Sequence, residues 1–442
     1  MIARYAQPDM DALWSDQKRF ALYLQVEVAF LKAWQTTPPV ADATAVRSTL
    51  RPQINDAELA ALAAAPINPA RITEIEQSTQ HDFIAFCTSI SEQVAPTAAK
   101  YFHWAATSSD VMDTALNLQL KASLDLILPA CQQVLQDLWH LAEKYSTLLA
   151  LGRSHGMAAE PIIFGQKFLS HYAEFYRRYQ ELKAFQEKEL RLQYSGAVGS
   201  YSLTNLQVEQ KAAQILGLLP EEVSSQVIPR DRLAKLIAID ALLASALERL
   251  ATEIRHLARS EVQEVREGFQ KGQKGSSVMP HKKNPVLSEN LTGIARLLRS
   301  HLNVALENIV LWHERDISHS STERVYLPDH LSLLLFALRR THHLLTNLVV
   351  HEDQITQHVQ QEDRYLSSFY LHYILANSDL SREEVYAAVQ QASFERGDLK
   401  TSLEQKLSLK LPAQDFATLQ AWYAQQFKAI QERCRQAYPL PS

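Results

Sequence analysis

Hydrophobic residues recur at helical spacing along most of the chain. The clearest case is residues 231–267, a segment without glycine or proline in which leucine recurs every seven residues. The series consists of Leu236, Leu243, Leu250 and Leu257, with Leu247 and Ile254 on the same side. It predicts one helix of roughly 55 Å with an apolar heptad seam. Such a seam fits an intrachain core, but its recurrence in several helices favours association of subunits.

Four other long stretches carry the same kind of apolar stripe. They are residues 111–145, which Pro129 interrupts, 165–194, 286–311 and 328–350. Prolines separate shorter helices in the first hundred residues, and shorter helices return after about residue 352, where residues 381–384 have the sequence of a capping box. We therefore predict an all-α fold of three helical domains, the second of which is a long central bundle. Their bounds are residues 1–106, 107–350 and 351–442.

Composition limits the class of protein. Of the 442 residues, 46% are hydrophobic and 21% are charged, as in a soluble globular protein, and the length suits two or three domains. The formal net charge of -5 argues against a general affinity for nucleic acids or anionic membranes. No apolar run reaches the roughly 20 residues of a membrane span, and the first residues lack the apolar core of a signal peptide. The three cysteines contain no CxxC pair and fit a reducing compartment, so a cytoplasmic location is the expectation.

Glycine is scarce and clustered. The chain has 11 glycines and none before Gly152, whereas five fall between Gly152 and Gly199. Three more lie between Gly268 and Gly275. The scarcity is typical of a helical protein, and the clusters mark segments whose backbone has unusual demands.

One glycine cluster belongs to residues 271–285, which read KGQKGSSVMPHKKNP. Gly272 and Gly275 make this segment flexible, and its two prolines prevent simple helix continuation. A solvated connector would account for its glycine, serine and lysine, but not for a methionine directly before the first proline and a histidine and an asparagine between the two prolines. Such a loop can close over a substrate, where Lys282 and Asn284 would stabilise a carboxylate whose neighbouring carbon loses a proton. A serine alkoxide then becomes conceivable as the general base.

The sequence GSSVMPHKKNP resembles the GSSxMPxKxNP signature of the fumarase/aspartase superfamily, whose members eliminate fumarate from succinyl-bearing substrates. In that superfamily the first serine of the pair is the general base, which implies this role for Ser276. The resemblance implies that Ser277, Lys282 and Asn284 hold the carboxylates of the substrate, with Met279 also in the binding set.

Two further segments match the same superfamily. Residues 152–156, GRSHG, resemble its GR(S/T)HG segment, whose histidine protonates the departing nitrogen; this implies that His155 is the general acid. By itself, a histidine between two glycines favours an ordinary turn. Residues 107–110, TSSD, resemble a segment preceded by a histidine, which implies that Thr107, Ser108 and His103 contact the substrate. Alone, they would suit plain helix capping equally well. Ala105 and Ala106 replace the glycine and leucine that are usual there.

Residues 79–82, TQHD, are similar to the TxHD segment of adenylosuccinate lyases. The resemblance places His81 at the active site, where it would orient or assist the acid, with Gln80 and Asp82 in the binding set. Gln80 stands where arginine is expected. The alternative for the segment is a helix cap.

Residues 311–325, LWHERDISHSSTERV, look like a run typical of the adenylosuccinate lyase family. Arg315, Ser320 and Arg324 would bind anionic oxygens, since the guanidinium fork matches phosphate. A surface ion-pair network is the alternative. A metal site is disfavoured because the two histidines are six residues apart and face different sides of a helix.

Three more matches extend the resemblance towards both ends of the chain. Gln226 opens a QxxxRDR segment in which the glutamine contacts substrate, and Arg4 and Tyr5 match an RYxxP opening that touches the nucleotide. Residues 195–200, SGAVGS, match a turn that we interpret as structural support. Fumarases, aspartases and argininosuccinate lyases share the serine loop but not the RYxxP opening.

Membership of the adenylosuccinate lyase family implies an all-α homotetramer whose active sites each take residues from several subunits. It implies β-elimination of fumarate, with no metal and no organic cofactor, from adenylosuccinate to give AMP. Succinylaminoimidazole-carboxamide ribotide, which gives AICAR, would be the second substrate. No nucleic acid or membrane partner is expected.

Two alternatives remain open at this point. The chain could be another lyase of the superfamily, of the argininosuccinate lyase or carboxymuconate cycloisomerase type, although the arginines at 315 and 324 argue against substrates without phosphate. It could also be a catalytically inactive, structural helical oligomer, which the intact serine and histidine motifs disfavour.

Overall fold

The computed structural model describes residues 2–39, 50–269, 272 and 278–441. In this part of the chain, 17 α-helices account for most residues. The helices are α1 (Pro8–Leu13), α2 (Asp16–Thr36), α3 (Asp56–Ala63), α4 (Pro69–Thr79), α5 (Asp82–Ser91), α6 (Pro96–Ala99), α7 (Ser108–Lys144), α8 (Gly165–Lys188), α9 (Leu206–Leu216), α10 (Asp231–Leu257), α11 (Val286–Glu307), α12 (Ser318–Thr346), α13 (Glu352–Gln361), α14 (Ser367–Asn377), α15 (Arg382–Phe394), α16 (Leu399–Leu407) and α17 (Phe416–Ala437). The predicted all-α class is confirmed. None of the described helices is both long and apolar enough to cross a membrane.

Short strands, which the hydrophobic pattern does not predict, connect some of these helices. They are β1 (Leu149–Ser154), β2 (Met157–Ile163), β3 (Arg191–Leu192), β4 (Leu219–Pro220), β5 (Val265–Arg266) and β6 (Val349–Val350). β1 pairs with β2 and β5 with β6, both antiparallel, while β3 and β4 form a parallel pair. Each pair is too short to form a core, so helices remain the basis of the fold.

The long predicted helices are present, with three differences in their bounds. α10 ends at Leu257, ten residues before the expected end, because the chain turns back there and the Glu264 N–H donates to the Leu257 carbonyl at 3.0 Å. α12 begins at Ser318 and contains Pro328, where we expected its start. α7 runs through Pro129 without the predicted interruption. The capping box at Ser381, whose hydroxyl accepts from the Glu384 N–H, is confirmed.

The heptad seam of α10 is buried within the single chain. Its members have exposed fractions of 5% or less: Leu236, Leu243, Leu247, Leu250, Ile254 and Leu257. The seam is therefore intrachain core. The leucines that remain exposed lie elsewhere on α10 and α11, at Leu242, Leu297 and Leu306.

The chain divides into two compact units, each assembled from three stretches. The first unit comprises Met1–Cys131, Arg178–Ser245 and Gly293–Arg339. The second unit comprises Gln132–Arg177, Ala246–Thr292 and Arg340–Ser442. The division into three domains at residues 106 and 350 stays a prediction.

Aromatic side chains fill the core of the first unit near its amino-terminal helices. The rings of Phe20, Tyr23, Phe83 and Phe86 contact one another with centroids 5.6–5.9 Å apart. Elsewhere in this unit the Tyr194 ring stacks on Phe30 at 3.9 Å, and its hydroxyl accepts from the Trp34 indole at 3.0 Å. Buried aromatic area of this kind is the main stabilising contribution to such a core.

The core of the second unit includes a cluster formed by helices α14 to α16. Tyr370, Ile374, Val385 and Leu403 are almost fully buried in it.

Tyr145 and Phe164 pack edge to face, 5.7 Å apart, at the start of the β1–β2 hairpin. The hairpin is thus anchored at its open end by buried aromatic rings.

The hairpin turn consists of His155 and Gly156. Both residues have positive φ, 53° and 81°, as a two-residue type I′ turn requires. The register shifts between Leu151 and Arg153, because Gly152 stands opposite two residues of β2, Ala159 and Glu160, which form a bulge. A Cβ on Gly152 would lie 2.5 Å from the Glu160 carbonyl oxygen, so only glycine fits there.

We expect Gly152→Ala to lower the free energy of unfolding by about 1–3 kcal/mol, because the added methyl group overpacks against backbone. Gly293→Ala is the matched control: it lies within α11 and its Cβ would meet nothing within 4 Å. Alanine there should raise the free energy of unfolding by up to about 1 kcal/mol. Urea titration of both variants at one protein concentration checks this. Equal effects at the two glycines would contradict the geometry of the bulge.

Ala105 has a φ of 56°, in the left-handed region that strains residues with a side chain. Ala105→Gly should therefore raise the free energy of unfolding by about 0.5–1 kcal/mol, the relieved strain less the entropy cost of glycine. Ala106 lies outside that region, so Ala106→Gly should lower stability by a similar amount. The measurement is the same urea titration, and destabilisation by both glycines would show that position 105 carries no strain.

Candidate functional site

A cavity of about 340 Å³ lies within the first unit and is rich in arginine. Its walls come from α2, α7, α12 and the segment before α12, with Trp14 at the end of α1 and Arg230 directly before α10. The cationic lining residues are Arg19, Arg230, Arg315 and Arg324, accompanied by His319. Three predicted site residues, Arg315, Ser320 and Arg324, thus line one cavity.

Arg324 is held in place by neighbours on two elements. Its guanidinium donates to the Asp82 carboxylate at 2.5 Å and its Nε to the Ser320 hydroxyl at 3.4 Å. Burial alone would raise the pKa of Asp82, but the hydrogen bond and charge of Arg324 outweigh it and lower that pKa. Asp82 therefore stays ionised and neutralises part of the charge of Arg324.

Arg315 differs from the other arginines in its partner. Its Nη1 donates to the neutral Gln226 side chain at 3.1 Å, and no carboxylate of the described residues lies within ion-pair distance. Its Nε and the Nδ1 of His319 are buried without a hydrogen-bond partner in the described chain. Burial and the nearby Arg230 charge lower the pKa of His319 to about 4, so its ring is neutral. An uncompensated guanidinium beside unsatisfied nitrogens suits an anionic oxygen.

Arg230 forms the buried wall of the cavity. It donates twice to Asp113, at 2.6 and 2.9 Å, and twice to Glu323, at 2.9 and 3.3 Å. Burial acts to lower its pKa, but the two carboxylates outweigh burial and raise it, so Arg230 remains charged. Since both carboxylates neutralise it, Arg230 serves to hold α7 and α12 together.

His103 pairs with a buried carboxylate on α2. Its Nδ1 lies 2.7 Å from the Glu27 carboxylate, and its backbone N–H donates to the other oxygen at 3.1 Å. Burial would lower the pKa of His103, but the Glu27 interaction raises it. The ring is 23% exposed and thus partly accessible to a ligand.

The start of α7 is organised by Asp110. Its carboxylate accepts the backbone N–H groups of Thr107, Ser195 and Gly196 at 2.8–3.1 Å. Burial nevertheless raises the pKa of Asp110 to about 7, against these hydrogen bonds. Thr107 and Ser108 thus stand at a capped helix start, next to the turn that we interpreted as structural support.

That turn also contacts Gln226, the partner of Arg315. The Gln226 side chain donates to the Ala197 carbonyl at 2.8 Å and accepts from Arg315. Gly199 is needed in the turn, because its φ is 74° and a Cβ would lie 2.2 Å from the Ser224 carbonyl. Gln226 is therefore positioned beside Arg315, as a substrate contact requires.

The predicted residues at 80 and 81 take part in helix capping. Gln80 ends α4 in the left-handed region, with a φ of 53°, and its side chain donates back to the Gln77 carbonyl at 2.9 Å. The Nδ1 of His81 accepts the Ile84 N–H at 3.4 Å at the start of α5. Because Nδ1 accepts in this arrangement, Nε2 would carry the proton of the neutral ring. The His81 side chain is 49% exposed.

Arg4 and Tyr5 do not line the arginine cavity. Arg4 is exposed, and the Tyr5 ring packs 5.0 Å from Phe336. Their predicted contact with a nucleotide remains a prediction.

In the second unit, the hairpin turn presents His155 to solvent, and Arg153 anchors the strand that leads to it. The Arg153 guanidinium makes two hydrogen bonds to Glu264, at 2.5 and 3.1 Å. Glu264 is fully buried and also pairs with the Nδ1 of His358 at 2.8 Å. His155, the general acid predicted from the sequence, is thus exposed on a turn whose supporting strand is held by the pairing of Arg153 with the buried Glu264.

Ser276 and Ser277, the predicted base and its neighbour, lie outside the described residues. Of the same loop, Met279 is 44% exposed and Lys282 is exposed, with its backbone N–H donating to the Met279 carbonyl at 3.0 Å. Asn284 is half-buried and immediately precedes α11. The contacts of these residues with the carboxylates of a substrate remain predictions.

Glu267 secures the loop at its base. Its carboxylate accepts the backbone N–H groups of Leu287 and Ser288, at 3.0 and 2.8 Å, and the Ser288 hydroxyl at 2.6 Å. A carboxylate at the start of α11 also interacts favourably with the helix dipole. Glu267, which precedes the serine loop, is thereby joined to the first turn of α11, which follows it.

Several residues that build these sites were missed by sequence reasoning. They are Arg19, Glu27, Asp113, Arg230, Glu264, Glu267 and Glu323. Glu27 carries a recognisable signal, since it stands within the apolar run of residues 26–31 and buried acids need partners. Arg19 pairs with the nearby Asp16 on the same helix, a spacing that is common on helix surfaces and marks no site. The partners of the others are distant in sequence, and no local pattern identifies them.

The fold resembles those of solved lyases. A 3-carboxy-cis,cis-muconate lactonizing enzyme from Pseudomonas putida superposes with a TM-score of 0.84 at 25% identity, covering 99% of this chain and 98% of that one. A fumarate lyase from Mesorhizobium sp. BNC1 has a TM-score of 0.77 at 22% identity, covering 97% and 95%; at this identity the likeness concerns the fold alone.

Sequence relatives are more specific. A family described as Lyase matches residues 4–298. An adenylosuccinate lyase from Synechocystis sp. is 43% identical over 395 residues, covering 89% of this chain and 88% of the relative. An adenylosuccinate lyase from Helicobacter pylori is 41% identical over 398 residues, covering 88% and 86%. With identities above 40% over most of its length, and the sequence motifs of the group, this chain belongs to the adenylosuccinate lyase family.

Proposed function

We propose that the chain eliminates fumarate from adenylosuccinate, which gives AMP, and from succinylaminoimidazole-carboxamide ribotide, which gives AICAR. The observation that carries the proposal is Arg315, a partly buried guanidinium without a carboxylate partner among the described residues, in a chain 43% identical to an adenylosuccinate lyase. Both substrates carry the phosphate that such a group recognises.

The elimination requires a base and an acid on the succinyl group. Ser276 would take the proton from the carbon next to a carboxylate, with Lys282 and Asn284 stabilising the negative charge that develops. The electron pair then forms the carbon–carbon double bond while the carbon–nitrogen bond breaks. His155 would donate its proton to the departing nitrogen, assisted by His81. Protonation and charge stabilisation both come from side chains, so the proposed reaction uses no metal and no organic cofactor.

Arg315, Arg324 and Ser320 would bind the phosphate of either substrate. Gln226, which already hydrogen-bonds Arg315, orients that guanidinium. His103, Thr107 and Ser108 are proposed to contact the remainder of the substrate, together with Gln80, Asp82, Ser277, Met279, Arg4 and Tyr5.

We further propose a homotetramer in which each active site takes residues from more than one subunit. Exposed apolar side chains on two long helices support association: Leu242, Leu297 and Leu306 are 49–51% exposed. Leucine on a long helix gains most from burial against a second helix. We also propose a cytoplasmic location, which suits the three cysteines because none of them forms a disulfide.

The first test is incubation with each substrate while fumarate and AMP or AICAR are measured. His155→Ala and Ser276→Ala should lower kcat by about 100-fold to 10,000-fold, because each removes a proton-transfer group. His256→Ala, at an exposed histidine of α10, is the control and should keep normal turnover. Absence of fumarate from both substrates would refute the function. Near-normal turnover in a correctly folded Ser276 or His155 variant would refute the role of that residue alone.

The second test concerns the phosphate. Arg315→Gln should raise KM by about 10-fold to 100-fold with a smaller change in kcat, because charge is lost from a binding contact. Inorganic phosphate should compete with substrate in the unmodified protein, and less strongly in this variant. Arg382→Gln, at an exposed arginine of α15, should change neither quantity. Unchanged KM in Arg315→Gln, or no competition by phosphate, would exclude the arginine cavity as the phosphate site.

A further inference from the structure

A second cavity, of about 410 Å³, lies within the second unit and shares no residue with the arginine cavity. It is formed by β2, the turn before α14, α14 itself and α17. Four aromatic side chains dominate its walls: Tyr365, Phe369, Trp422 and Tyr423. Volume and lining are those of a small-molecule site, not of a packing defect, since ligand sites measure about 300–1,000 Å³ and are largely aromatic.

The charge of this aromatic cavity is negative. Its one ionisable carboxylate is Glu160 on β2, and its described lining contains no arginine, lysine or histidine. The Ser368 hydroxyl donates to one oxygen of Glu160 at 2.6 Å. No cation of the described residues lies within ion-pair distance of this carboxylate. Glu160 therefore holds a negative charge that its described surroundings do not neutralise.

The carboxylate acts on the rings around it. Burial, and in second place the charge of Glu160, raise the pKa of Tyr423. Aromatic faces are themselves negative, because the ring quadrupole concentrates electron density above and below the plane. Four rings and one unneutralised carboxylate thus combine into a site that repels anions and attracts cations.

We propose that this cavity binds an organic ammonium ion, a cationic nitrogen that carries hydrocarbon groups. The hydrocarbon groups gain from leaving water for the aromatic walls, the cation gains from the ring faces, and Glu160 neutralises the charge. An inorganic cation would find one carboxylate and no further anionic ligand in the described lining. A nucleotide would place its phosphate against Glu160, so the cavity is not a second substrate site.

Trp422 is the most exposed ring of the lining. It is 59% exposed, and Phe369 beside the cavity is 36% exposed, whereas large aromatic residues of a monomeric surface are usually more buried. The indole is also the ring type that binds cations most strongly. Trp422 is therefore the best single position at which to remove the interaction.

The test uses the intact protein and choline as the probe, with binding measured by titration calorimetry. The uncharged isostere 3,3-dimethyl-1-butanol has the same shape, so the ratio of the two dissociation constants isolates the contribution of the charge. We expect choline to bind at least about 10-fold more tightly than the isostere. AMP should leave choline binding unchanged, because the proposed site of AMP is the arginine cavity.

Three variants locate the binding. Trp422→Leu and Glu160→Gln should each weaken choline binding by about 10-fold or more, since one removes the strongest ring and the other the charge. Trp312→Leu, at a 76% exposed tryptophan of the first unit, is the matched control and should bind choline normally. Phe369→Leu gives a second ring variant should Trp422→Leu fail to fold, as judged by circular dichroism.

Three outcomes would overturn the proposal. The first is no heat of binding with choline up to about 50 mM, since an affinity below that limit is weaker than that of a specific site. The second is equal affinity for choline and its isostere. The third is unaltered choline binding in correctly folded Glu160→Gln and ring variants. None of these results depends on whether the chain releases fumarate.

Discussion

The first unit depends on one buried guanidinium shared by two carboxylates. Arg230 joins Asp113 on α7 to Glu323 on α12 through four hydrogen bonds of 2.6–3.3 Å. Loss of one partner from a buried ion pair costs about 3–5 kcal/mol, since the remaining charge stays in a low dielectric. The interaction therefore defines how α12 lies against α7. Because Ser320 and Arg324 are on α12, their positions in the arginine cavity follow from it.

Charge compensation then determines which arginine can meet a ligand. Arg230 is fully neutralised, and Arg324 shares the Asp82 carboxylate, but Arg315 has only the neutral amide of Gln226. Although several arginines line the cavity, its positive electrostatic potential is consequently strongest at Arg315. This explains how a chain with a net charge of -5 can present a cationic pocket.

The sequence predicts the helices well, because their apolar periodicity is a local property. The serine loop stands out by residue types that are unusual for a connector, whereas the His155 segment is singled out only by its resemblance to the family; the roles of both stay predictions. The sequence does not predict the β1–β2 hairpin, since a two-residue turn of histidine and glycine lacks the common asparagine–glycine signal. Pairings such as Glu27 with His103, 76 positions apart, depend on packing between distant segments and leave no local trace.

The Glu267 carboxylate accepts two of the first amides of α11 and so ties together the two flanks of the serine-bearing segment. Lengthening a segment between tied flanks costs only about 0.6 kcal/mol for each doubling, because the entropy of loop closure grows with the logarithm of the length. The stability of the bundle therefore depends little on the length of this segment, whereas the chemistry proposed for Ser276, Lys282 and Asn284 constrains its side chains.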